Sequence, residues 1–344
     1  MSTVRMQDLI DFGRSYFLAR GFSDSAAESI AEIAVLTQAF GITTHGLSQW
    51  GYIRRAIDAD RIDPGAEPDL LGDRGAVGHL TGARVPGQVV MRMAVEMATS
   101  KAREHGISMI AVKKSHWVGA VGPYLIPIAE NGLLAQAWAQ SSACEDCAPV
   151  GGIDATFSTN PVALAIPTGG TPIIADFSTA TVSMGKVKSL ISAGSKADAE
   201  IFMDADGALT DDPRVVPEGG SILFTGGPHF GHKGYALSLW CEALTAVAGG
   251  DCNNPELPQS QSFNLTVIDP QAFGGQERYQ AEIGRLVRRI RGVRHLPDVA
   301  AIRLPGDRGF ASLGEARAKG VALDAPLREN LDTMATEAGI SRLP

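Results

Sequence analysis

Four cysteines in 344 residues are too few to build a disulfide framework. Cys144 and Cys147 form one C-x-x-C, but Cys241 and Cys252 supply no second close pair. A zinc site needs such a pair, so the thiols read as structural or incidental and no metal is expected. No apolar run approaches the roughly 18 residues that a membrane span requires. The opening MSTVRMQDLIDFGR carries acidic and polar residues where a signal peptide needs an apolar core, so a cytoplasmic location is expected. Excess positive charge is missing too. Lys and Arg number 30 against 38 Asp and Glu, and a net charge of -8 gives no reason to expect nucleic acid or an anionic membrane as partner.

The common signatures of nucleotide and hydrolytic chemistry are also absent. No G-x-G-x-x-G joins a strand to a helix, which excludes the usual dinucleotide-binding turn. GGPHFGHKG at 226–234 approaches a phosphate-binding loop but misses it. Lys233 stands two residues beyond Gly231 instead of one, and Gly234 occupies the Ser/Thr position. Neither G-x-S-x-G nor H-E-x-x-H occurs, which removes the simplest hydrolase and zinc-protease readings.

What is present is ordinary globular material, 44% apolar and 20% charged, long enough for two or three lobes. Leu9, Ile10, Phe17 and Leu18 follow helical spacing up to Gly21. Ser25-Ala-Ala-Glu28 fits a capping box for a second helix through Ile30, Ile33, Ala34 and Thr37, which Gly41 ends. Residues 63–75, rich in Pro, Gly and Asp, read as a linker. A helix over 88–105 leads into the buried strand ISMIAV. A helix near 121–131 leads into the strand GLLAQAWA. PVALAIP and PIIADF flank TGGT as a hairpin. Residues 235–248 form an apolar helix, FNLTVIDP a strand, and ERYQAEIGRLVRRIRG an amphipathic helix. The arginines at 285, 288, 289, 291 and 294 read as a solvated face. The chain is a mixed α/β protein.

Several polar groups stand beside glycines within apolar sequence. His45, in GITTHGLSQW, falls where a helix ends, either as a terminal histidine or as a proton donor. His116 follows a buried strand and precedes a small-residue turn, where α/β folds place ligands. Asp176 ends the strand PIIADF, where a carboxylate needs a partner or caps the helix that STATVSMG begins. Lys233 stands before a helix whose first amides could hold a phosphate. Gly151-Gly152 and Ser158-Thr159-Asn160-Pro161 offer backbone donors and hydroxyls. Taken together these groups fit protonation of a carbonyl or imine beside a phosphate-bearing cofactor.

At these residues the chain resembles the malate/L-lactate dehydrogenase family, which lacks the Rossmann fold and includes ureidoglycolate and sulfolactate dehydrogenases, diketogulonate reductase and Δ1-piperideine-2-carboxylate reductases. TTHGL resembles its Ser-His-Gly element and KSHWVGAVGPYLIPIAENGLL its S-x-H-F-G-x-x-G-x-Y stretch. STNPVALAIPT, ADFSTATVSMGKV and GHKGYALSLWCEAL are similar to three further elements in the same order, and the likeness continues to LPGDRG at 304–309. The resemblance implies a mixed, non-Rossmann sheet flanked by helices, of the L-sulfolactate dehydrogenase type. An N-terminal helical lobe would span 1–75 and a cofactor- and substrate-binding region 76–300. A C-terminal segment over 301–344 would complete the cofactor site. It also implies a homodimer and NAD or NADP in an extended groove.

Carried over residue by residue, the resemblance makes His45 the acid/base, with Asp176 orienting and charge-stabilising it and Thr44 in the serine position of the same relay. His116 would lie near nicotinamide and substrate, and Thr159 would touch the substrate. Cofactor contacts would fall at Ser141, Asp176, Phe177, Ser178, His232, Lys233, Gly306, Asp307 and Arg308. A carboxylate beside His45 is expected to hold it protonated near neutrality. One position departs from the family. Where it has an arginine for the substrate carboxylate, this chain has Gln49, which lacks the charged fork. Either the substrate has no carboxylate there or another arginine, Arg54 or Arg84, replaces it. Trp117 and Trp138 imply a reshaped apolar pocket. The expected reaction is hydride transfer between NAD(P) and a small 2-oxo/2-hydroxy acid. The alternatives are reduction of a cyclic ketimine and a catalytically idle ligand-binding relative.

Overall fold

A computed structural model describes residues 2–344. The chain runs β1 (Ser2–Val4), α1 (Met6–Ala19), α2 (Asp24–Ala39), α3 (Ser48–Asp58), β2 (Asp69–Arg74), β3 (Val77–Thr81), α4 (Gly87–His105), β4 (Ile107–Ser115), α5 (Gly122–Glu130) and β5 (Leu134–Ser141). It continues β6 (Pro161–Ile166), β7 (Ile173–Ser178), α6 (Met184–Ser192), β8 (Phe202–Met203), β9 (Leu209–Thr210), β10 (Ser221–Ile222), α7 (Gly227–Phe230) and α8 (His232–Val247). β11 (Gln261–Ile268), α9 (Gln276–Arg291), α10 (Asp307–Lys319), β12 (Val321–Leu323) and α11 (Ala325–Ala338) complete it.

Seven strands form the central sheet in the order β2-β3-β4-β11-β5-β6-β7. Only β3 and β4 are parallel, because α4 carries the chain over the sheet between them; every other neighbouring pair is antiparallel. A mostly antiparallel sheet lacks the parallel crevice in which a glycine-rich dinucleotide turn operates, and this accounts for the missing fingerprint. The mixed, non-Rossmann sheet and the N-terminal helical lobe are as expected. One core joins α1–α4, α5 and the sheet. A smaller core gathers Phe157, Val187, Phe202, Ile222 and Phe224 around the three-stranded sheet β10-β8-β9.

Local expectations fail in three places. α1 buries Leu9, Phe12, Tyr16 and Phe17, while Leu18 is exposed. The buried stripe thus follows 9, 12, 13, 16, 17, and Gly13 lets Trp50 lie against the helix. The cap of α2 is Ser23, whose Oγ accepts from the Ala26 amide at 3.4 Å; Ser25 lies inside the first turn. The supposed linker contains β2, an edge strand paired only with β3. α9 buries no residue fully, and its arginines face outward as expected.

Candidate active site

His45 is the last residue of a one-turn 3-10 helix, Thr43–His45, between α2 and α3. Gly41, at φ 88°, ends the preceding helix. Gly46 lets the turn close against α2: a Cβ there would lie 2.8 Å from the Gln38 Cα. The Thr44 hydroxyl is 2.8 Å from His45 Nδ1. It donates to Nδ1 when the ring proton is on Nε2 and accepts in the other tautomer. Either way, this bond fixes the ring and leaves Nε2 for a ligand. Burial lowers the His45 pKa below the ordinary 6.5.

Asp176 reaches the same cavity from β7. Its carboxylate accepts from the Gly122 amide at 2.7 Å, at the start of α5. Burial raises its pKa, and hydrogen bonds from the Gly122 and Val121 amides oppose the rise. An anion at a helix N-terminus is favourable, and Gly122 is needed because a Cβ would lie 2.8 Å from the Asp176 Cβ. This corrects two expectations. Asp176 caps α5, whereas Ser183 caps α6 through the Lys186 amide at 3.2 Å. Among the described residues no hydrogen bond joins Asp176 to His45, and the pKa of His45 moves down with burial instead of being held up.

Thr44, His45, Thr159, Asp176, Phe177 and Ser178 line one cavity of about 630 Å³. Gly119–Val121 and Thr181–Ser183 complete much of its wall. Those wall residues were missed in the sequence, although Gly-Pro at 122–123 signals the helix start that binds Asp176.

His116 is in a different place. It borders a neighbouring cavity of about 360 Å³ with Arg61, Arg84 and Lys114. The Tyr52 hydroxyl is 3.1 Å from His116 Nδ1, and the Tyr52 ring stacks on Trp117 with centroids 4.9 Å apart at 11°. Burial, reinforced by the Arg61 charge, pushes the His116 pKa down to about 4. Gln49 lines neither cavity but packs beside the His45 turn. Its Nε2 is 3.5 Å from the Thr44 carbonyl and its side chain lies against Gly119, while Oε1 is buried with no hydrogen-bond partner. Arg54 forks onto Glu337 at 3.1 and 3.2 Å, and Arg84 pairs with Asp60, so neither replaces an arginine at 49. Trp138 sits on β5 opposite Asn264 and Val162 and lines neither cavity.

The remaining candidates lie outside the His45 cavity. Ser141 Oγ accepts from Gln261 Nε2 at 3.0 Å. His232 opens α8 and borders a third cavity beside Gly151 and Gly152; Lys233 Nζ lies 5.1 Å from the Phe230 ring centroid. Gly306, at φ 92°, packs on the backbone of Ile174 in β7, two residues before Asp176. Asp307 accepts from the Leu304 amide at 2.8 Å and pairs with Arg291, and Arg308 is exposed. Among the described residues no cluster of His, Cys, Asp or Glu could hold a metal ion, and no helix is long and apolar enough to cross a membrane.

A mixed sheet of this topology, with a histidine held by a threonine hydroxyl and a capped carboxylate across one cavity, defines an α/β protein equipped for proton transfer. A family profile described as malate/L-lactate dehydrogenase matches residues 4–332, and the chain belongs to that family. It is 30% identical to a Δ1-pyrroline-2-carboxylate/Δ1-piperideine-2-carboxylate reductase of Pseudomonas syringae pv. tomato, over 97% of this chain and 96% of that protein. It is 27% identical to a malate dehydrogenase of Pyrococcus abyssi, over 99% and 96%. The structure of sulfolactate dehydrogenase from Methanocaldococcus jannaschii has the same fold, with a TM-score of 0.88 at 24% identity over 99% of this chain and 98% of that one. These relatives are dehydrogenases and reductases, and the chain is an oxidoreductase of their kind.

Proposed function

We propose that the protein transfers a hydride between a nicotinamide cofactor, NADH or NADPH, and a small 2-oxo/2-hydroxy acid, with His45 as the acid/base. The observation that carries this reading is the meeting of His45 and Asp176 in one cavity. In the reductive direction the carbonyl carbon takes the hydride and its oxygen takes the proton from His45 Nε2. In the oxidative direction neutral His45 removes the hydroxyl proton. Burial favours the neutral ring, so reduction should quicken as pH falls towards the His45 pKa, below 6.5, and oxidation should plateau above it. Thr44 holds the ring by its 2.8 Å bond to Nδ1. Asp176 places a negative charge in the wall, kept there by the α5 amides. Thr159 would contact the substrate.

The cavity suits a nicotinamide ring in size, and Phe177, 40% exposed, offers it an apolar surface beside the hydroxyls of Ser178 and Ser183. Bound there, the cofactor supplies the hydride. Ser141, His232, Lys233 and Gly306–Arg308 would hold its remaining parts. A homodimer is part of the reading. α8 exposes Ala236, Leu239, Trp240, Ala243 and Val247 along one face, with Trp240 55% and Val247 68% exposed, and a second copy of the chain would cover it.

Gln49 favours a second reading, reduction of a cyclic ketimine. The buried, unpartnered Oε1 of Gln49 can accept a hydrogen bond from an iminium N–H, whereas a neutral amide brings no charge to a carboxylate. A panel of 2-oxo acids and cyclic imines with NADH and NADPH, followed at the nicotinamide absorbance, separates the two. His45→Ala is expected to keep cofactor affinity and lose about 10²–10⁴-fold in turnover. Undiminished turnover would remove His45 from the acid's role, and binding of neither cofactor would leave an idle relative.

A further inference from the structure

Several cations around α3 and the His116 cavity are neutralised; among the described residues Arg55 and Lys113 have no ion pair but do not line the cavity. Arg20 pairs with Asp58, Arg54 with Glu337, Arg84 with Asp60, and Lys114 with Asp251 at 3.4 Å. Arg61 differs: among the described residues no carboxylate lies within ion-pair distance of it, and it lines the cavity. Its backbone is fixed. The turn after α3 passes through Asp60 at φ 53°, the Arg61 amide donates to the Ala56 carbonyl at 2.8 Å, and Ile62 is buried. The guanidinium lies 5.9 Å from the Tyr52 ring centroid, and Tyr52 in turn contacts His116 and Trp117. A planar cation beside the stacked Tyr52–Trp117 pair, lining a cavity with the His116 ring, offers a carboxylate a charged donor fork.

The loop 116–119 runs between the two sites, His116 lining this cavity and Gly119 the His45 cavity. Gln49 touches Thr44 and Gly119 on the His45 side. Tyr52, three residues on and so about 4.5 Å along the helix axis, touches His116 on the other. A ligand spanning the two would put its reacting carbon near His45 and an anionic end near Arg61. At neutral pH the burial of His116 keeps it uncharged, so Arg61 brings the uncompensated positive charge.

We propose that Arg61 is the specificity-determining anion anchor of this enzyme, binding a carboxylate of the substrate from the His116 cavity in place of an arginine at position 49. The identity of the anion's carrier rests on the oxidoreductase reading above; the anion site itself does not. The test is titration of the full-length protein with oxalate, a small dicarboxylate, and with its uncharged diamide oxamide, read in the fluorescence of Trp117 and its neighbours. Wild-type protein should bind oxalate at least tenfold more tightly than oxamide. Arg61→Gln should weaken oxalate about ten- to hundredfold and leave oxamide unchanged, with Arg61→Lys between the two because it keeps charge but loses the fork. Melting curves establish that the variants are folded. The proposal is overturned if wild type does not bind oxalate, or if Arg61→Gln binds it within twofold of wild type. Arg61-dependent oxalate binding without reduction of any oxo acid or imine would uphold the anchor and reject the proposed reaction. Turnover whose KM ignores Arg61→Gln would do the reverse.

Discussion

His116 and Asp146 should hide one another in the pH dependence of stability, and single substitutions should expose both. Burial pushes His116 from the ordinary 6.5 down to about 4. Burial also pushes Asp146, in the loop after β5, from 3.8 up to about 6, against the pull of Lys188 and the Thr159 amide. The signs are opposite. Between pH 6.5 and 4 the unfolded chain takes a proton at His116 that the folded one refuses, so stability is full above 6.5 and falls on acidification. Between pH 6 and 3.8 the folded chain takes a proton at Asp146 that the unfolded one refuses, so acidification restores stability.

At about 1.4 kcal/mol per pH unit, moving from pH 7 to 4.5 costs about 2.7 kcal/mol through His116 and returns about 2 kcal/mol through Asp146. Their combined slope in the wild type is therefore small. Asp146→Asn should lose about 2 kcal/mol relative to wild type over this interval, and His116→Gln should gain nearly 3. Urea unfolding at several pH values measures both, and referring each variant to wild type removes the contributions of distant carboxylates. Relative stabilities that stay level within about 0.5 kcal/mol from pH 7 to 4.5 would refute the burial argument for whichever group was replaced.

Thr44→Val removes the hydroxyl partner of His45 Nδ1 and should lower kcat about tenfold, the worth of one hydrogen bond, without altering cofactor affinity; an unchanged kcat would detach Thr44 from the relay. Trp240→Glu puts a charge on the exposed apolar face of α8 and should yield monomers in sedimentation velocity where wild type gives dimers; a monomeric wild type would leave that face without its proposed cover. Glu242→Leu removes the acceptor of one Asn160 Nδ2 hydrogen (3.0 Å; the other keeps Ser238 Oγ at 2.9 Å) and of the Asn253 amide (2.9 Å). Two unpaired donors, partly offset by not burying a carboxylate, should destabilise the fold by about 2 kcal/mol. Asn160, at φ 37°, adjoins Thr159, so turnover should fall as well; an unmoved urea midpoint would contradict this account.

The readable parts of this chain are those whose signals are local. Gly106 ending α4, the β-branched run of β4 and the TGGT turn joining β6 to β7 each act within a few residues, and each element stands where its sequence places it. β2 escaped notice because an exposed edge strand with a single partner needs no apolar alternation, so its Asp and Gly look like linker. Ser23 and Ser25 compete for one helix start, and hydroxyl chemistry alone does not choose between them. The candidate site divides the same way. His45 and its Thr44 partner are sequence neighbours and legible together, whereas Asp176 binds an amide 54 residues earlier, a contact that only the packing of α5 against β7 creates. The split between His45 and His116 follows the register of α3, which sets Gln49 against the Thr44 carbonyl and Tyr52 against the His116 ring. Charge location follows the same register. The cation missing at position 49 is not supplied by Arg54, which pairs with Glu337; the cation without a carboxylate partner, Arg61, stands three residues past the helix end and lines the His116 cavity.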